Sequence, residues 1–67
     1  MITVSINGEP RQLPHAISVT AFVELMGYSG KRIALERNGE IVPRSTFTTA
    51  LLNDGDQLEI VVAVGGG

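Results

Sequence analysis

Leu58-Glu59-Ile60-Val61-Val62-Ala63-Val64 is the stretch on which the fold turns. Leu58, Ile60, Val62 and Val64 fall on one side of an extended chain and Glu59, Val61 and Ala63 on the other, the period of a strand. Because Val61 and Ala63 are apolar as well, the run is hydrophobic on nearly both faces. That places it in the middle of a sheet rather than at an edge. Asn53-Asp54-Gly55-Asp56 just before it is a turn cluster. Gly65, Gly66 and Gly67 follow it and close the sequence.

At the other end of the chain, residues 1–7 alternate cleanly. Ile2, Val4 and Ile6 oppose Thr3, Ser5 and Asn7, a half-buried strand. Asn7-Gly8 is the favoured pair for a two-residue type I′ hairpin turn, since both positions need positive φ. Residues 9–13 return as a strand that Pro10 confines to an edge, because proline has no amide for a ladder bond. Leu13 is its inward residue. Ser18 reads as a helix N-cap, with Ile17 and Phe22 at the two positions of a hydrophobic staple. Val19, Phe22, Val23 and Met26 recur at helical spacing, and Gly27 supplies the stop, so the pattern predicts a helix over 18–26. So short a helix depends on packing against a sheet.

Residues 28–31 form a loop, and residues 32–37 alternate again, Ile33 and Leu35 inward, Ala34 and Glu36 outward. Asn38-Gly39 is a second hairpin signal, leading to a short strand, Glu40-Ile41-Val42, that Pro43 ends. Residues 44–52 mix apolar Phe47, Leu51 and Leu52 with threonines that weaken a helix. They read as a turn, or a loose helical turn, seating Phe47 against the core. The order is hairpin, helix, hairpin, turn, final strand. A crossover through the helix returns the chain to the same sheet, with the last strand beside the first and parallel to it. The expected fold is α+β, a ubiquitin-like β-grasp, with a mixed sheet of four to five strands and one main helix packed across one face. Residues 1–64 form that domain, and residues 65–67 a flexible C-terminal tail.

The totals narrow the function. Sixty-seven residues, 43% of them hydrophobic, suffice for one small core. The absence of cysteine excludes disulfides, thiolate metal sites and a cysteine nucleophile. A net charge of −2 with scattered signs leaves no basic face for nucleic acid. No apolar run approaches the length that spans a bilayer, and the N-terminus does not read as a leader. The chain is therefore expected to be soluble, cytoplasmic and monomeric when free. A domain this small has little room for a substrate pocket, so it is not expected to be an enzyme.

His15, the only histidine, stands on a connector with no second ligand beside it, and Asp54 and Asp56 lack the further oxygens of a calcium loop. No metal site is expected. Arg11, Lys31 and Arg37 read as surface charges, while Arg44 after Pro43 could either meet a partner or solvate its turn. Gly65, Gly66 and Gly67 bring no side-chain chemistry. They offer a carboxylate on a thin stalk reaching about 10 Å when extended, a shape suited to a channel where a Cβ would collide. The alternative is an incidental frayed end.

Asn7-Gly8, Glu36-Arg37-Asn38-Gly39-Glu40-Ile41-Val42-Pro43-Arg44, Asp54-Gly55-Asp56, Ile60-Val61 and the terminal glycines together resemble the ThiS family, the small sulfur carrier proteins of thiamine biosynthesis. The resemblance covers essentially the whole chain. It implies that a ThiF-like adenylating partner uses ATP and magnesium to convert the Gly67 carboxylate to an acyl-adenylate. Sulfur from a persulfide donor system then leaves a thiocarboxylate at Gly67, which a ThiG-like thiazole synthase consumes. The chain itself would bind no cofactor and hold no catalytic residue of its own. Gly65, Gly66 and Gly67 would enter the partner's active site, and Val61, Ala63 and Ala34 would form the docking surface beside them. Other readings are the molybdopterin synthase small subunit (a MoaD-like carrier), a ubiquitin-like protein modifier, and a plain interaction module. The run Val61-Val62-Ala63-Val64 favours the thiamine carrier over the molybdopterin one, whose sequence before the tail is usually bulkier.

Overall fold

The structure, a computed structural model, describes residues 1–63. Its elements in order are β1 (Ile2–Ile6), β2 (Glu9–Leu13), α1 (Val19–Leu25), β3 (Ile33–Arg37), β4 (Glu40–Ile41), one 3-10 turn (Arg44–Thr46) and β5 (Gln57–Val62). The five strands form one sheet in the order β2-β1-β5-β3-β4. β5 is central, parallel to β1 and antiparallel to β3, the position expected from its composition, although only one of its faces is covered by the helix.

Both hairpins turn where the Asn-Gly pairs stand. Asn7 and Gly8 have φ of 51° and 87°, and Asn38 and Gly39 have 52° and 86°. Positive φ at both central residues is the type I′ geometry whose twist matches the flanking strands. Pro10 lies on β2, an edge strand, opposite Ser5.

The helix start is accounted for amide by amide, as an N-terminus with no intrahelical partners must be. Val19 N–H donates to the Ala50 carbonyl (3.0 Å) and Thr20 N–H to that of Phe47 (3.0 Å). Ala21 N–H donates to Ser18 Oγ at 3.1 Å, the N-cap bond. At the far end Gly27 adopts φ 81°. Tyr28 N–H reaches back to the Val23 carbonyl and Gly27 N–H to that of Glu24, the paired bonds of a Schellman ending. Tyr28 and Val23 both pack against the core.

The core lies between the helix and one sheet face. Val4, Leu13, Val19, Phe22, Leu35, Leu52 and Leu58 are almost wholly buried. Residues 44–52 close it from the side: Phe47 and Ala50 pack on the core while their carbonyls cap α1. This settles the ambiguous segment as one helical turn plus a strap that bridges Ser18 to Leu51. Leu52 is its buried residue and Leu51 is 53% exposed.

The expected element bounds move by a residue or so. β5 begins at Gln57, β3 at Ile33, and β4 keeps two residues, although Val42 N–H still donates to Leu35. The readings that fall on Val64, Gly65, Gly66 and Gly67 lie outside the described residues.

Candidate functional site

The helix covers one sheet face, and among the described residues the other is open. Inward alternation of Leu58 and Ile60 turns Glu59 and Val61 outward on β5, and Ile33 and Leu35 do the same for Ala34 and Glu36 on β3. Register then brings the outward residues together. Ala34 stands opposite Val61, Glu36 opposite Glu59, and Ile41 of β4 opposite Glu36. Val61 is 67% exposed and Ile41 64%. Ala63 is exposed, and its N–H donates to the Arg32 carbonyl at 2.9 Å, so the strand pairing carries on to the last described residue. Val61, Ala63 and Ala34 thus do share one face at the end of β5. Ile41, which sequence reasoning left out, adds to its apolar area. Its alternation was visible, but the register that sets it beside β3 was not.

β5 is held on its β1 side and on its β3 side by side chains that the sequence placed only as turn formers. β1's main chain turns away at Asn7, whose N–H still donates to the Leu58 carbonyl (2.9 Å). The Asn7 amide then takes over the ladder. Oδ1 accepts from Ile60 N–H at 2.9 Å and Nδ2 donates to the Ile60 carbonyl at 3.3 Å. Asn38 serves the start of the strand in the same way: Gln57 N–H donates to its Oδ1 (2.9 Å), and its Nδ2 donates to Asp56 Oδ1 (3.2 Å).

Asp56 is the buried carboxylate of this region, 7% exposed. Arg37 Nε donates to its Oδ2 at 3.0 Å and Asn53 N–H to the same oxygen at 2.8 Å. Arg37 is therefore no free surface charge; it ties the β3–β4 turn to the approach of β5. Burial of a carboxylate is tolerable only with such partners, and among the described residues no buried side-chain polar atom lacks one. Asp54 also does turn work, its Oδ1 accepting from Thr3 N–H at 2.7 Å. Arg44 Nη2 donates to the Ile33 carbonyl at 3.4 Å, so the side chain lies at the start of β3.

Among the described residues no three metal-ligating groups gather. His15 is exposed, with Nδ1 2.9 Å from its neighbour's carbonyl oxygen. Among the described residues no helix is long and apolar enough to cross a membrane.

A mixed five-stranded sheet with one helix across one face, an open opposite face and a central last strand defines a ubiquitin-like β-grasp protein. The structural comparison agrees: the thiamine biosynthesis protein ThiS of Geobacter metallireducens superposes with a TM-score of 0.84 at 26% identity, over 98% of this chain and 100% of that one. The sequence profile of the ThiS family matches residues 4–67, and the chain belongs to that family, the sulfur carriers of thiamine biosynthesis. The uncharacterized protein ycf40 of Pyropia yezoensis is 36% identical across 98% of this chain and 93% of its own length. A thiazole synthase of Paramagnetospirillum magneticum is 45% identical over 62 residues, 92% of this chain. The chain spans only about a fifth of the thiazole synthases it matches (19% and 20%).

Proposed function

We propose that the chain carries sulfur as a thiocarboxylate at Gly67 and is a co-substrate of partner enzymes rather than a catalyst. The observation that carries this reading is that the family profile runs through residue 67, so the glycine tail belongs to the matched sequence. A carboxylate is a poor electrophile. A ThiF-like partner, using ATP and magnesium, would let a Gly67 oxygen displace pyrophosphate from ATP to give the acyl-adenylate. A persulfide sulfur then attacks the acyl carbon and AMP leaves. Reduction of the resulting S–S bond by a thiol frees the thiocarboxylate, which passes to a ThiG-like synthase. Similarity to part of a longer thiazole synthase supports that last partner, since there a segment like this chain lies within one polypeptide bearing that name.

Gly65, Gly66 and Gly67 suit a narrow channel, because without Cβ atoms the backbone can approach closely. Ordering three residues costs about 1–2 kcal/mol each, roughly 3–6 kcal/mol in all. At about 25 cal/mol per Å², offsetting that takes roughly 120–240 Å² of buried apolar surface. Val61, Ala63 and Ala34, with Ile41 beside them, would supply it by docking on the partner.

Intact-mass measurement after incubation with the adenylating partner, ATP, a persulfide source and a thiol tests the reading. Exchange of one oxygen for sulfur, lost on deletion of Gly67, is the expected result. An unchanged mass with a partner that is otherwise active would overturn it.

A further inference from the structure

Charge is polarised along β3 and β5. At the end where β5 leads into the tail, Lys31, Arg32 and Arg44 line one shallow hollow together with Gly30. These are three of the chain's five cationic side chains, in a protein of net charge −2. All three are exposed. Arg44 is drawn in by its bond to the Ile33 carbonyl, and Arg32 is fixed opposite Ala63 by the bond from the Ala63 amide. The one ion pair among the described residues is elsewhere, between Arg37 and Asp56. Farther along the strand pair, on the open face, Glu36 and Glu59 stand directly across from each other on neighbouring strands. Like charges so placed destabilise a sheet, and the fold gains nothing from them. Apolar Val61 and Ala34 lie between the two charged ends.

We propose that Lys31, Arg32 and Arg44 form a basic collar at the root of the tail that docks on an acidic rim around the channel mouth of the adenylating partner, with Glu36 and Glu59 meeting positive charge farther out. This rests on the reading of the tail given above. The alternative anion would be the phosphate of the nucleotide. Length argues against it: the four residues after Ala63 span about 13 Å when extended into a channel, so the collar stays outside while the acyl group reacts. A collar outside the channel meets protein. Charge at the rim of an interface acts mainly on encounter rate and on orientation, and here opposite charges at different points along β3 and β5 would favour a single docked direction.

ATP–pyrophosphate exchange with the purified adenylating enzyme of the same genome tests this, at about 50 mM and at higher salt. The variants are K31Q/R32Q/R44Q, E36Q/E59Q, the single Lys31→Gln (a side chain with no hydrogen bond to the described residues), and Arg11→Gln on the far edge strand as control. For the wild-type chain, KM should rise with salt. The triple variant should raise KM about tenfold or more at low salt and flatten the salt dependence, with kcat within about twofold. E36Q/E59Q should also raise KM, Lys31→Gln should raise it less than the triple variant, and Arg11→Gln should behave as wild type. A wild-type KM in both the triple and the single variant overturns the collar while leaving the tail chemistry standing. A fall in kcat at constant KM also overturns it, by moving the cations into the chemical step. No exchange with the wild-type chain would bring down the tail chemistry itself, and the collar with it.

Discussion

Asn7→Gly separates two things that one residue does. Glycine adopts the positive φ of this turn freely, so the hairpin geometry survives and only the side-chain amide is lost. That amide makes two bonds to the main chain of Ile60, at 2.9 and 3.3 Å. Ile60 itself is 6% exposed, so water replaces the lost partners poorly. Two neutral hydrogen bonds contribute about 0.5–1.5 kcal/mol each, giving roughly 1–3 kcal/mol. The added freedom of the unfolded chain and the relief of a positive φ in a non-glycine residue act in opposite directions, each below about 1 kcal/mol. For a domain of this size the loss lowers the melting temperature by roughly 5–20 °C. Calorimetry reads the stability, and hydrogen exchange at the Ile60 amide reads the site. Asn7→Asp is the companion variant: it keeps the acceptor for Ile60 N–H but turns an anionic oxygen toward the Ile60 carbonyl, so it should lose at least as much. Melting of Asn7→Gly within about 2 °C of wild type, with Ile60 as well protected as before, would refute the claim that the amide carries the ladder on past β1.

Phe22 is wholly buried, and Phe22→Ala should cost about 3–5 kcal/mol, read by urea unfolding; that is a large share of the 5–15 kcal/mol typical of a whole domain. Arg37→Gln and Asp56→Asn, each destabilising, should combine less than additively in a double-mutant cycle, because either one breaks the 3.0 Å bond between them. Gly66→Val should leave melting unchanged and abolish adenylation of Gly67; normal turnover by that variant would contradict the narrow-channel account. Val61→Asp changes a residue 67% exposed, so it should fold normally and raise KM for the adenylating partner.

How much of this could be read from the chain follows from the range over which each signal acts. The two Asn-Gly turns, the Ser18 cap, the Gly27 stop and the alternation of residues 58–62 are local. Neighbouring residues alone set the available φ and the face on which each side chain falls, and these signals together already implied a β-grasp. The composition of residues 58–64 even placed the last strand centrally, because apolar residues on both faces are tolerable only where both are covered or one docks. The sequence could not show that Asn7 acts on a strand 53 residues away, or that Asn38 holds the start of the same strand 19 residues on, since that needs the register of β1 and β3 against β5. Nor could it show that Asp56 is buried against Arg37, Asn38 and Asn53, where a turn-rich sequence reads as solvent-exposed. Lys31 and Arg32 are sequence neighbours, but Arg44 joins them only because β3 and β4 fold back on each other. Local chemistry determined the elements; long-range pairing alone decided which exposed charges and apolar side chains stand together at the end of β5.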